Sequence, residues 1–257
     1  MLAIDRLDGR DEMGSLALCG SSATSKASLI SGLKPCGDCW TIEKDARLVS
    51  DAIMVSRDFI FWEVDVQRDF VLPGGKLYVP GAEKLLPNIK RLTDAARQGK
   101  VFLVSHGDFH APNDAEFRIF PPHCVKGTPG SELVPEAITE HVVRVPNESD
   151  AKLPNDLSPY QQILLEKQTL SIFESRHADA LVQKLGNHAE FVVFGVVTEY
   201  CVSFAVKGLL ERGRRVAVVQ DAIETLQREE GDKAVQDFQR LGARLITTDQ
   251  ALAAVSG

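Results

Sequence analysis

The sequence has no apolar stretch near the roughly 18 residues that a membrane-spanning helix needs. Its start, Met1-Leu-Ala-Ile-Asp-Arg-Leu-Asp8, puts acids where a secretory signal carries a basic flank and an apolar core. The two absences predict a soluble, cytoplasmic protein. Also missing is a basic run interleaved with aromatics, and 29 Lys and Arg against 36 Asp and Glu leave a formal charge of −7. Neither nucleic acid nor a membrane surface is therefore expected as a partner. Cysteine is scarce, five in 257 residues and unevenly spread, which argues against a secreted disulfide framework and for a reducing compartment. There is no internal repeat or low-complexity tract. What is there is a chain with 44% hydrophobic residues, enough for one sizeable core, hence a single α/β domain of roughly 200 residues with an extension.

Residues 1–55 differ from the rest: Gly, Ser and Ala are frequent, hydrophobic periodicity is poor, and Trp40 is the lone aromatic. They read as a poorly ordered extension to a domain over 56–257. The pair Cys36-Gly-Asp-Cys39, with Cys19 nearby, lacks both the strand–helix context of a redox motif and the fourth ligand of a zinc knuckle. From Asp58 strands and helices alternate. Strands are expected at Phe59–Asp65, Val101–Val104, Val142–Val145, Ile163–Leu165, residues 191–197, Arg215–Asp221 and Leu245–Ile246. Helices are expected around Leu85–Ala96, Ala178–Leu185, from Cys201 onward, near Glu229–Leu241 and at the end. Such alternation implies a three-layer α/β/α fold with a mostly parallel sheet, whose ligands bind beyond the carboxyl ends of the strands. Residues 146–162, polar and punctuated by proline, suit either a lid or a contact in a homo-oligomer.

Cys201 stands where the apolar run Phe191-Val-Val-Phe-Gly-Val-Val197 gives way to helical spacing of Val202, Ala205, Val206, Leu209 and Leu210. In a first helical turn, free backbone N–H groups and the helix dipole favour the reactive thiolate. Cysteine is also a small hydrophobe, so the segment alone leaves packing and catalysis both open. A cysteine amidohydrolase further needs a base that returns the proton to the leaving amine, and a cation. Asp65 and Lys167, each at the end of an expected strand, are candidates. The loop Ser105-His-Gly-Asp108-Phe-His110 offers Asp108 and His110 at i, i+2, with His123 able to fold back, a mixed N/O set suited to Zn²⁺, Fe²⁺ or Mn²⁺. His106 is read as a polar strand-end residue.

Over about residues 58–252 the chain resembles the nicotinamidase branch of the isochorismatase-like cysteine hydrolases. The matching segments are Asp65-Val-Gln-Arg-Asp-Phe-Val-Leu-Pro-Gly-Gly75, Pro121-Pro-His-Cys-Val-Lys-Gly-Thr-Pro-Gly130, Lys167 ahead of Ser171-Ile-Phe173, Gly195-Val-Val-Thr-Glu-Tyr-Cys201-Val202, and Asp221-Ala222. The resemblance implies Cys201 as nucleophile, Asp65 as proton shuttle and Lys167 as electrostatic partner. It also implies a cis peptide between Val196 and Val197, with the N–H groups of Val197 and Cys201 forming an oxyanion hole. By the same resemblance Asp108, His110 and His123 bind one divalent metal, zinc first and iron or manganese as alternatives. Glu116 falls where some members have a further ligand, and Phe109 replaces the customary Trp. Phe70 and Phe120 match positions that sandwich the substrate ring, and Cys124 has no chemical role. The implied reaction is deamidation of nicotinamide to nicotinate and ammonia, in NAD salvage. Against it stand a related amidohydrolase acting on a carbamoyl or ureido compound, and a catalytically silent binding module. The segment from Lys167 to Phe173 is shorter than in many nicotinamidases, so one pocket wall is expected to differ.

Overall fold

Phe59-Ile-Phe-Trp-Glu-Val64 forms β1, buried at every position but the first, as befits a central strand covered on both faces. The computed structural model describes residues 58–256; the expected extension over 1–55, with Cys19, Cys36 and Cys39, lies outside them. Six further strands follow: β2 (Phe102–Asp108), β3 (Val142–Val145), β4 (Gln162–Lys167), β5 (Glu190–Gly195), β6 (Arg215–Ile223) and β7 (Arg244–Ile246). They make one sheet in the order β3-β4-β2-β1-β5-β6-β7, and every strand pair is parallel.

Helices are α1 (Arg68–Val71), α2 (Leu86–Arg97), α3 (Ala178–Lys184), α4 (Ser203–Glu211), α5 (Arg228–Arg240) and α6 (Thr248–Ala254). On one face of the sheet Phe61, Leu103, Val192, Phe194 and Ala217 pack with Ile89, Leu92 and Ala96 of α2 and Ala251 of α6. On the other, Ile60, Trp62, Val104, Ile163 and Val193 meet Leu181 of α3, Val206 and Leu209 of α4, and Phe238 of α5. The result is the expected three-layer α/β/α arrangement, with helical periodicity selecting the face each helix buries.

Of the strands that run further than expected, two carry site residues. β2 continues through Ser105, His106 and Gly107 to Asp108, all buried, and β4 carries Glu166 and Lys167 as its last buried residues. Polar side chains there read as loop in a hydrophobicity pattern, yet their backbones stay paired, with Asp108 opposite Lys167. Gly195 ends β5 at φ 119°, and a side chain on it would run into the Val64 carbonyl oxygen, so the close approach of β1 and β5 demands glycine.

Candidate active site

Four neighbouring strands deliver the chemistry to one edge. β1 leads into Asp65, β2 ends in Asp108, β4 ends in Lys167, and the chain leaving β5 reaches Cys201 within six residues. The chain reverses its direction of winding at β1, which β2 and β5 flank, and a crevice forms at such a switch point.

Asp65 is 1% exposed and sits in the left-handed region at φ 52°, a conformation its short polar side chain tolerates at a cost of roughly 1–3 kcal/mol. Its N–H bonds the His106 carbonyl at 3.0 Å, and its Oδ1 lies 3.2 Å from His106 Nδ1. The fully buried Lys167 places Nζ 3.0 Å from Asp65 Oδ2 and in contact with Asp108 Oδ1, with Cys201 Sγ 3.6 Å away. Burial opposes the Lys167 charge, but Asp108 and then Asp65 outweigh it and hold the ammonium well above its ordinary range. Burial also opposes the Asp108 carboxylate, which Lys167 and the neighbouring histidines nevertheless hold well below the usual carboxylate range. His106 is shifted down, burial outweighing Asp65.

Cys201 departs from expectation. It lies in a π-type turn, Thr198–Val202, interrupted at Tyr200, while the regular helix begins at Ser203. Burial first, and the Asp65 charge second, push its thiol well above the ordinary value despite Lys167. Both effects oppose the thiolate that a helix N-terminus alone would favour. The turn is anchored from below: Thr198 N–H and Oγ1 donate to the Glu224 carbonyl at 2.8 and 2.7 Å, and the Glu199 carboxylate accepts from Leu226 N and Gln227 N. The peptide between Val196 and Val197 is cis.

Beside this trio, ligand atoms of Asp108, His110, Glu116 and His123 all lie within 4.8 Å of one another. The Nε2 atoms of His110 and His123 stand 3.9 and 3.8 Å from Asp108 Oδ2. His123 Nδ1 is 2.8 Å from the Pro121 carbonyl, an acceptor that fixes the proton on Nδ1 and leaves Nε2 its lone pair. Among the described residues neither nitrogen of the buried His110 ring has a hydrogen-bond partner, though Nδ1 stands 3.1 Å from Asp114 Oδ2. Burial, then Asp108, push the half-buried Glu116 upward, while Asp108 draws His110 upward against burial. Two imidazoles with inward nitrogens and two carboxyls form a donor set that fits a divalent transition metal.

The Phe70 and Phe120 rings lie 5.3 and 6.4 Å from the His123 ring. Three further residues escaped sequence reading. Phe117 packs on both histidines at 5.3 and 5.8 Å, Tyr200 meets Phe120 at 6.3 Å, and the buried Gln67 side chain pairs with both N–H and C=O of Asp108 at 2.7 and 2.6 Å. Asp114, beside His110, carries no signal in the sequence. Asp221 accepts from Thr248 N and Oγ1 and so holds the start of α6. Cys124, buried beside the site, is also pushed up by burial.

A family model described as Isochorismatase domain matches residues 61–145 and 138–250, and the chain belongs to that family of hydrolases. It is 25% identical over 209 residues to the nicotinamidase of Escherichia coli K12, covering 72% of this chain and 92% of that one. A probable inactive nicotinamidase of Arabidopsis thaliana is 24% identical over 194 residues, 72% of this chain and 89% of that one. Among solved structures, the pyrazinamidase of Pyrococcus horikoshii in complex with zinc superimposes with a TM-score of 0.60 at 26% identity, over 74% of this chain and 99% of that one. These relatives support an amidohydrolase-type enzyme acting on a small-molecule amide, with a divalent metal suggested by the zinc-bound neighbour and the donor set. No described helix is long and apolar enough to cross a membrane.

Proposed function

We propose that this chain is a nicotinamidase-like amidohydrolase that converts nicotinamide to nicotinate and ammonia through a thioester on Cys201. The observation that carries the reading is Lys167: one buried ammonium lies 3.0 Å from Asp65, 3.6 Å from Cys201 Sγ and against Asp108, joining a thiol–carboxylate pair to the metal-type donor set. Family membership alone does not carry it, since fold does not imply activity.

Asp65 takes the Sγ proton, and the thiolate attacks the amide carbon. The N–H groups of Val197 and Cys201 donate to the carbonyl oxygen as it becomes anionic, while Lys167 offsets the negative charge on sulfur and Asp65. Asp65 then passes the proton to the leaving nitrogen, ammonia departs, and Cys201 holds the acyl group. Asp65 next deprotonates a water that attacks the thioester; nicotinate leaves and the proton returns to Sγ. Asp108, His110, His123 and Glu116 would hold one divalent ion, zinc in the first instance, which supplies a Lewis-acid anchor for the pyridine nitrogen. Phe70 and Phe120 would flank the ring.

The test is ammonia release from nicotinamide beside a panel of carbamoyl, ureido and other small amides, with metal analysis of the same preparation. Preference for nicotinamide by a metal-loaded protein supports the reading. Preference for a carbamoyl or ureido compound moves the substrate to that class, and no turnover on any amide favours a silent module.

A further inference from the structure

His106 holds Asp65 at two points. Its carbonyl accepts the Asp65 N–H at 3.0 Å, and its ring nitrogen Nδ1 lies 3.2 Å from Asp65 Oδ1. The imidazole is fully buried, its edge against the Trp62 indole with centroids 6.1 Å apart. Among the described residues Nε2 has no hydrogen-bond partner. A carboxylate only accepts hydrogen bonds, so the pairing places the ring proton on Nδ1, and His106 donates. Asp65 Oδ2, at the other corner of the carboxylate, faces Lys167 Nζ at 3.0 Å.

From this arrangement we infer that His106 is a positioning residue for the hydrolysis: its Nδ1–H fixes the rotation of the Asp65 carboxylate, so that the base meets the Cys201 proton and the leaving nitrogen in one geometry. The inference rests on the amidohydrolase reading and adds to it a residue that touches no reacting atom. Two features favour it over a core histidine that merely fills space. A residue at φ 52° directs its side chain away from the usual strand alternation, so neighbouring strands alone do not orient it. And a ring used only as filler in this apolar layer would be replaced by an aliphatic side chain without loss, since burying a polar ring with an unpaired nitrogen costs free energy. A donor to Asp65 makes up that cost through function rather than stability.

Full-length wild type, His106→Leu and His106→Asn separate the two roles. Asn sets its side-chain amide close to where imidazole carries Nδ1, whereas Leu keeps the bulk and loses the donor. The expected result is that His106→Leu melts like wild type but loses about tenfold or more in kcat, a fraction of the roughly 10²–10⁴-fold that acid–base help is worth. KM should stay within about twofold, the pattern of an interaction lost in the chemical step, and His106→Asn should recover most of the loss. If Leu is tolerated and Asn is the damaging change, the ring is core filler and the inference is overturned. A second readout is independent of the substrate: iodoacetamide alkylation of Cys201, followed on its own peptide by mass spectrometry, needs the same proton transfer. Alkylation slowed by Leu and restored by Asn supports the inference even in a protein inactive on nicotinamide, which would sink the substrate reading alone. Unchanged alkylation in both variants with unchanged kcat overturns it.

Discussion

Burial and the facing Asp65 hold the Cys201 thiol high; under the proposed reading the nucleophile is therefore made during turnover, with Asp65 as the base that makes it. Cys201→Ala should abolish hydrolysis while folding and metal content stay intact, and turnover of the purified variant above a blank would sink the thioester route. Asp65→Asn should lose roughly 10²–10⁴-fold, since it removes proton transfer to ammonia. His110 presents the other half of the site. If the metal positions substrate and leaves the nucleophile alone, His110→Ala should lose bound metal and raise KM for nicotinamide strongly with a smaller effect on kcat; a fall in kcat at constant KM would assign the metal to the chemical step. At this scale residue type and strand-end position drew attention to Asp65, Lys167 and Cys201 but left packing and chemistry both open; their roles, and the choice of Glu116, Phe70 and Phe120, came from the resemblance of the flanking segments. Phe117, Asp114, Tyr200 and Gln67 were not legible as site neighbours, because their relations depend on the path of irregular segments and on side-chain rotation, which leave no period in the sequence; His106 was legible only as a polar strand-end residue, its pairing with Asp65 depending on the left-handed turn there.

β1 carries a different kind of charge. Glu63 in its middle is fully buried, accepts from Ser105 Oγ at 2.5 Å, and is pushed by burial, against that hydrogen bond, from 4.5 up to about 8. Gln162 Nε2 extends the network to Ser105 Oγ and the Ala137 carbonyl at 2.7 and 2.9 Å, tying β1, β2 and β4 together through polar side chains. Linkage gives the sign: between pH about 4.5 and 8 the folded state holds a proton that the unfolded chain has released. Stability is therefore full below the lower value and falls as pH rises, by up to about 1.4 kcal/mol per unit. Glu63→Gln should flatten that fall and melt higher than wild type at pH 8, which a series of thermal melts from pH 5 to 9 reads directly. Equal slopes in both proteins would show that Glu63 ionises freely. The same burial of polar residues explains which elements the sequence displayed. β5 and α2 stood out by apolar run and helical period, whereas the full lengths of β2 and β4 were hidden because the polar Ser105, Asp108 and Glu166 interrupt the apolar pattern while their backbones stay paired.

At the scale of the molecule, parallel strands make their carboxyl ends neighbours, so residues distant in sequence share one crevice: Asp65 and Cys201 are brought together by the β1–β5 pairing, and Asp108 and Lys167 by β2–β4. Alternation of strand and helix made this architecture legible before any contact was known, because a parallel sheet needs crossovers and crossovers are helical. Every strand and helix of the described domain lies within residues 59–254, and every residue assigned above to catalysis or metal binding lies between Asp65 and Cys201. A chain that begins at Met54, just ahead of β1, therefore contains the full set of described elements. We expect it to melt within a few degrees of the longer chain, and to show the same kcat/KM on whichever amide the longer chain prefers, because every described strand and helix and every residue assigned to the proposed site is retained. Both lengths, purified side by side and compared by melting temperature and specific activity, decide the matter. A large loss of stability in the short form would mean that residues before Met54 pack on the domain; a large loss of activity at equal stability would mean that they complete the pocket.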